Sequence, residues 1–305
     1  MNLDVRPLSD VLAAEVAGLD ARRPLSEKME SALRQALHLY QVLTIREQQL
    51  TPRQFVDFAR VFGELEPFFI SAYSLPDCPE IYVLSNARRN GHLVGRDGAG
   101  THWHSDHTFH REPASATLLY AVTVPEAMGD TLFADMYRAY EELPDSLKVR
   151  LEGLKAIHRY QKKEHIYSAE PDAGAEKRAR IEALKALRRR EEEAQAPSPT
   201  AARANTLPDQ LHPVVRTHPA TGRKALYLND EMTVGVDGLP PEEGVALLKD
   251  LCARATRGQN VYAYKWRAGD IVVWDNPSVL HAATYTDPAV ERTLYRLTIK
   301  GSVPY

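Results

Sequence analysis

Arg292-Thr293-Leu294-Tyr295-Arg296-Leu297-Thr298-Ile299 reads as a β-strand, rich in β-branched and aromatic residues and without glycine or proline. Side chains alternate across a strand, so Arg292, Leu294, Arg296 and Thr298 belong to one face. Tyr295, Leu297 and Ile299 belong to the other. Short apolar runs of the same kind precede it at Ala225 to Leu228, Tyr262 to Tyr264 and Ile271 to Trp274. An earlier block holds Ile81 to Leu84, Ala116 to Val122 and Thr131 to Phe133, and Gly, Pro, Asn and Asp punctuate both blocks. Many short strands separated by turn residues indicate a β-sandwich or jelly roll.

Helices are expected outside these blocks. Ser26 to Tyr40 offers an N-cap and apolar spacing at Met29, Leu33 and Leu37. The short run Val42 to Ile45 reads as a strand, after which Thr51 to Phe62 restarts a helix with Thr51 as cap and Pro52 in the first turn. Pro240 to Ala255 is a further helical stretch. Between the strand blocks, about 162 to 210, lies a charge-dense segment. Its Ala175 to Ala196 portion carries only a thin stripe of Ile181, Leu184 and Leu187, and a proline-containing linker follows. It is expected to be a solvated helix serving as a lid or an oligomer contact.

The 305 residues suffice for one large core, and we expect a single domain over 1–305. Apolar residues at 44% exclude a mainly disordered chain, and a net charge of −3 gives no basic excess for nucleic acid. No apolar run is long enough to span a membrane. Met1 to Arg6 lacks the pattern of a secretory signal, and two distant cysteines, Cys78 and Cys252, make no disulfide framework. A cytoplasmic location is the expectation.

Chemistry concentrates in Thr101-His102-Trp103-His104-Ser105-Asp106-His107-Thr108-Phe109. On extended backbone, residues i and i+2 project to one side, so His104 and Asp106 can meet one metal ion. A second histidine from a distant strand, with His281 the natural candidate, would complete a two-histidine, one-carboxylate face. That set leaves coordination positions open and suits non-haem iron(II), although a catalytic zinc is also compatible. His102, His107 and His110 crowd the same stretch.

At these residues the sequence resembles the taurine dioxygenase and phenoxyacetate dioxygenase family of iron(II)- and 2-oxoglutarate-dependent oxygenases. Val42-Leu43-Thr44-Ile45-Arg46 with Phe58 to Gly63, Trp103-His104-Ser105-Asp106, Gly129-Asp130-Thr131, His212 to His218, and Trp274-Asp275-Asn276 leading to His281 are similar to its ordered motifs. The resemblance implies an α+β fold: a double-stranded β-helix (jelly-roll) core flanked by helices, with a charged helical insert. It implies His104, Asp106 and His281 as iron ligands. Thr131 and Arg292 fall where the family binds 2-oxoglutarate, with Arg296 assisting there or at the substrate. Fe(II), 2-oxoglutarate and O2 are the implied cofactor and co-substrates.

The implied activity is hydroxylation, with or without carbon–heteroatom cleavage, of a small anionic organic acid: a carboxylate, a sulfonate or an aryloxy acid. A homo-oligomer is expected. The phenoxyacetate branch has a lysine for the substrate acid where Ser71 aligns, and the taurine branch uses a histidine from a stretch that holds none here. Arg296 is therefore the expected anchor, with Phe69, Ser71, Tyr73 and Asn86 as further substrate contacts in or beside an apolar rim that spans Phe68 to Tyr73. A desaturase on this scaffold and a non-catalytic zinc-binding jelly roll are the alternatives. Asp106 in place of a small residue disfavours a halogenase.

Overall fold

The structure is a computed structural model that describes residues 3–67, 71–160, 174–194, 207–230 and 232–305, with the side chains of 184 and 187–194 left aside. A large sheet runs, in spatial order, through Asp4–Pro7, Ala14–Ala17, Val42–Ile45, Ile271–Asp275, Ala116–Thr123, Thr293–Ile299, Cys78–Ser85 and Ser74–Leu75. A smaller sheet pairs Val261–Tyr264, Thr131–Asp135 and Val279–Ala283. His104 extends it by an isolated antiparallel bridge to His281.

The central strands of the large sheet are buried on both faces, which is why they read as continuous apolar runs. On its outer face, Leu43, Ile45, Leu118, Ile271, Val273, Leu297 and Ile299 pack on the helices Glu27–Tyr40 and Pro52–Ala59. Its inner face sends Val42, Leu119, Val272, Trp274 and Leu294 against Phe133, Tyr264 and Val279 of the smaller sheet. The outer face of that smaller sheet, at Ala134, Leu280 and Ala282, is covered by the helices Met136–Glu141 and Pro241–Ala255. Helices thus flank two facing sheets, and the expected parity holds from Leu294 to Ile299, with Leu294 inside and Leu297 and Ile299 outside. Arg292 lies before the strand, beyond a register shift between Thr293 and Leu294, and does not share the direction of Arg296.

Local signals account for the helix ends. The Ser26 side chain accepts from the Met29 amide, and Thr51 forms a capping box with Gln54 behind Pro52. The second helix closes earlier than the spacing predicts, at Ala59, and a 3-10 turn carries the chain from Arg60 to Phe62. Gly63 follows at φ 144, where an added Cβ would lie 2.7 Å from Ile299 Cγ2, so only glycine fits this crossing without displacement. The charge-dense stretch forms a helix over Ala175–Ala194. Ile181 is buried within it, and Arg180 reaches Asp287 at 3.5 Å. Residues 162–173 and 195–206 of the expected insert lie outside the described residues. Among the described residues no helix is long and apolar enough to cross a membrane.

Candidate active site

His281 sits mid-strand in Val279–Ala283, and alternation turns its ring inward while Leu280 and Ala282 face the outer helices. The reciprocal bonds His104 N to His281 O (3.0 Å) and His281 N to His104 O (2.8 Å) fasten the two backbones as an antiparallel pair. Their ring centroids stand 4.1 Å apart. Past Ser105 the chain enters a turn at Asp106. The carboxylate therefore returns to the rings, with His104 Nε2 at 3.7 Å from Oδ1 and His281 Nε2 at 3.7 Å from Oδ2. One donor atom from each residue lies within 4.8 Å of the others, and Asp106 and His281 are buried.

The nitrogens are oriented for a metal. His104 Nδ1 lies 2.8 Å from the His102 carbonyl, an acceptor only, so Nδ1 carries a proton and Nε2 is the nitrogen turned toward Asp106. Burial alone would raise the Asp106 carboxyl, but the neighbouring Arg296 guanidinium, foremost among the charges around it, holds it well below the usual carboxylate range. Burial pushes His281 well below its ordinary value, favouring the neutral ring that a metal needs.

A polar network that sequence reading missed fixes the carboxylate. Thr117 Oγ1 donates to Asp106 Oδ2 at 2.6 Å, and Asn276 Nδ2 donates to Thr117 Oγ1 at 3.0 Å. Asn276 Oδ1 accepts from the Trp274 indole and from the Asp106 amide. Asn229 Oδ1 accepts from the Ser105 amide at 2.8 Å, holding the turn from the other side. Gly100, at φ +70, leaves room for the His104 ring, because a Cβ there would stand 3.1 Å from His104 Cε1. Thr117 gave no signal in the sequence, since a threonine inside an apolar strand looks like any other β-branched residue.

Arg292 lies just before its strand and lines a cavity with Asn86, Arg96, Thr101 and Thr284. Its Nε donates to the Gly129 carbonyl at 3.2 Å. Gly129, at φ +74, is packed so closely that a Cβ would meet Arg292 Nε at 2.8 Å. Asn86 acts on the same segment: its Oδ1 accepts from the Arg292 amide at 2.8 Å and its Nδ2 donates to the Val290 carbonyl. The Thr131 hydroxyl accepts from the Trp266 indole at 3.0 Å. Arg296 points elsewhere than Arg292, with Nη2 at 2.8 Å from Asp106 Oδ1. Ser71 is exposed, Tyr73 packs edge-on against Tyr82, and Phe68, Phe69 and Ile70 lie outside the described residues.

The model of the taurine catabolism dioxygenase TauD, TfdA family matches residues 4–298. The chain belongs to this family. One member of similar sequence is the alpha-ketoglutarate-dependent 2,4-dichlorophenoxyacetate dioxygenase of Cupriavidus pinatubonensis, 33% identical over 98% of both chains. Among solved structures, a taurine dioxygenase from Burkholderia xenovorans superposes with a TM-score of 0.76 at 30% identity, covering 100% of this chain and 93% of that one. AAD-2, crystallised with Mn(II) and N-oxalylglycine, gives 0.75 at 28% identity, covering 100% and 99%. These family neighbours have the jelly-roll core expected from the sequence. The protein is an alpha-ketoglutarate-dependent dioxygenase, an enzyme class that uses Fe(II), 2-oxoglutarate and O2.

Proposed function

We propose that this TauD, TfdA family enzyme oxidises a small anionic organic acid, a carboxylate or sulfonate on an apolar or aryl body. In this reading His104, Asp106 and His281 hold iron(II). The observation that carries it is the convergence of two imidazoles, the His281 ring kept neutral by burial, and one ionised carboxylate within a few ångströms of one another. Two nitrogens and one oxygen on one side match the facial donor set of non-haem iron(II) and leave the opposite side open. Bound iron and 2-oxoglutarate supply oxygen activation coupled to decarboxylation of the keto acid to succinate and CO2.

The protein's own part is placement and exclusion of water. Thr117 and Arg296 fix the two Asp106 oxygens, and the His104–His281 bridge fixes the ring pair. Arg292, seated on Gly129 and braced by Asn86, is placed to clamp the far carboxylate of 2-oxoglutarate bidentately. Thr131 stands on the inward side of the neighbouring strand, and its hydroxyl can add a donor to that carboxylate while it accepts from Trp266. A guanidinium has five N–H donors, enough for Arg296 to hold Asp106 together with an acid group on the substrate. Tyr73, Ser71 and Phe69 belong to the segment assigned to the substrate body. The relatives described above are named for 2,4-dichlorophenoxyacetate and for taurine, both small acids, which supports the class. We read 1–305 as one catalytic domain. Its charged helix, tied by Arg180 to Asp287 on the loop leading to Arg292, serves in this reading as a lid.

Anaerobic titration with iron(II) and 2-oxoglutarate tests the metal and co-substrate assignment. A visible charge-transfer band is expected, and its absence would remove the reading. Substrate class is tested by succinate release over a panel of aryloxy carboxylates, alkyl sulfonates and neutral analogues. Triggering by the acids alone is expected, and it should be lost in Arg296→Gln. If triggering survives there and only 2-oxoglutarate binding weakens, Arg296 belongs to the co-substrate.

A further inference from the structure

The histidine-rich stretch contains two rings that the iron site does not use. His107 and His110 turn toward Glu66, which enters from the chain just beyond Gly63. His107 Nδ1 lies 3.2 Å from Glu66 Oε2, and His110 Nδ1 lies 3.6 Å from Glu66 Oε1. The two ring centroids are 5.1 Å apart, and a donor atom from each of the three residues falls within 4.8 Å of the others. In a tetrahedral zinc site, bonds of about 2.0–2.2 Å place neighbouring donor atoms about 3.4 Å apart. The two separations here, each to its own oxygen of Glu66, lie on either side of that edge.

The backbone is bent to make this possible. His107 adopts φ 58, a left-handed conformation that a side chain other than glycine rarely takes. The reversal follows directly after Asp106, and the His110 amide closes it on the His107 carbonyl at 2.8 Å. It directs Asp106 to the iron ligands and His107 to Glu66. Conformations of this kind persist where surrounding structure requires them, and they gather at functional sites. Glu66 is fixed in turn, its amide donating to the carbonyl of Thr298 on the strand that carries Arg296.

A contrasting cluster shows what a merely structural histidine looks like in this fold. His218 lies beside His38 and Asp275, with donor atoms equally close. Its Nδ1 accepts from the amides of Ala220 and Thr221, and its Nε2 donates to Asp275 at 3.1 Å. Both nitrogens are committed to the fold, and none can turn a lone pair to a cation. At Glu66 the three residues present side-chain donors to one another across a single point, and the group is partly open, with about a quarter of the Glu66 and His110 side chains exposed.

We propose that Glu66, His107 and His110 form a second divalent-metal site, of the zinc class, one residue away from the iron carboxylate. Two imidazoles and a carboxylate favour zinc, cobalt or nickel over calcium or magnesium. The cation takes the place of the proton in the His107–Glu66 hydrogen bond. Occupancy ties the turn after Asp106 to the segment beside the Arg296 strand and so braces one wall of the active site.

The test is anaerobic cobalt(II) titration of the metal-stripped full chain, followed by visible absorption and by bound metal after gel filtration. Wild type is expected to bind two equivalents, one with the intense absorption of a four-coordinate ion. His110→Ala and Glu66→Gln should each bind one and lose that absorption, while His281→Ala should keep it. Glu66→Gln retains shape and a hydrogen bond to His107, so its loss of metal is not a loss of fold. One equivalent in wild type, undiminished in His110→Ala and Glu66→Gln and abolished in His281→Ala, overturns the second site and leaves the iron assignment standing. Two equivalents in both variants also overturn it. One equivalent that survives His281→Ala but not His110→Ala upholds this site and removes the iron assignment instead.

Discussion

Thr117→Val isolates the hydrogen bond that steadies the proposed iron carboxylate. Valine matches threonine in shape and leaves no cavity, so the change removes only the hydroxyl. That hydroxyl donates to Asp106 Oδ2 at 2.6 Å and accepts from Asn276 Nδ2 at 3.0 Å, and both partners are buried. A hydrogen bond to a charged group contributes about 1.5–3 kcal/mol, and leaving a buried amide donor without an acceptor costs about 1–3 kcal/mol. The two effects share one atom and do not add fully. We expect about 2–4 kcal/mol of lost stability in the metal-stripped chain, read as a lower denaturation midpoint with unchanged slope. Groups that orient a metal ligand typically change metal affinity about 10–100-fold, so the Mn(II) dissociation constant should rise by that order. Thr117→Ser should recover most of both. Wild-type metal affinity in Thr117→Val, with unchanged stability, would refute the argument that this network sets the Asp106 geometry.

Further outcomes are expected at the neighbouring residues. Arg292→Ala should raise the Michaelis constant for 2-oxoglutarate about thirtyfold or more, as expected for a buried charged pair of about 2–5 kcal/mol, with little effect on the primary substrate; equal small changes in both would refute the clamp. Gly129→Ala should weaken 2-oxoglutarate selectively as well, because its Cβ would stand 2.8 Å from Arg292 Nε; unchanged affinity in steady-state kinetics would show that the guanidinium has room to shift. His281→Ala should abolish turnover through loss of iron, and a full complement of iron measured by elemental analysis would contradict its role.

How much of this was legible beforehand differs by residue. The helix from Ser26 and the one from Thr51 were readable because caps and apolar spacing are local, and the structure places both caps where they were expected. The strand at Thr293 to Ile299 was readable with its parity, since alternation depends only on neighbouring residues. His104, Asp106 and His281 were singled out by local spacing together with ordered family motifs, and the model match over 4–298 bears out the family. The expected substrate contacts lie in different surroundings. Asn86 lines the Arg292 cavity and braces Arg292 itself, whereas Ser71 is exposed and Phe69 lies outside the described residues.

The sequence by itself determined the strand and helix periods, the special backbone positions at glycine, and the chemical types of the donors. Each of these follows from interactions within a few residues along the chain. Tertiary structure decided which polar atoms meet. Thr117 bonds Asp106, Asn276 bonds Thr117, and Arg296 turns to Asp106 while Arg292 turns to Gly129. Glu66 meets His107 and His110 across some forty residues of chain. Hydrogen bonds and ion pairs act over about 3 Å and carry no period along the chain, so their partners become determinate only when packed sheets bring distant strands together.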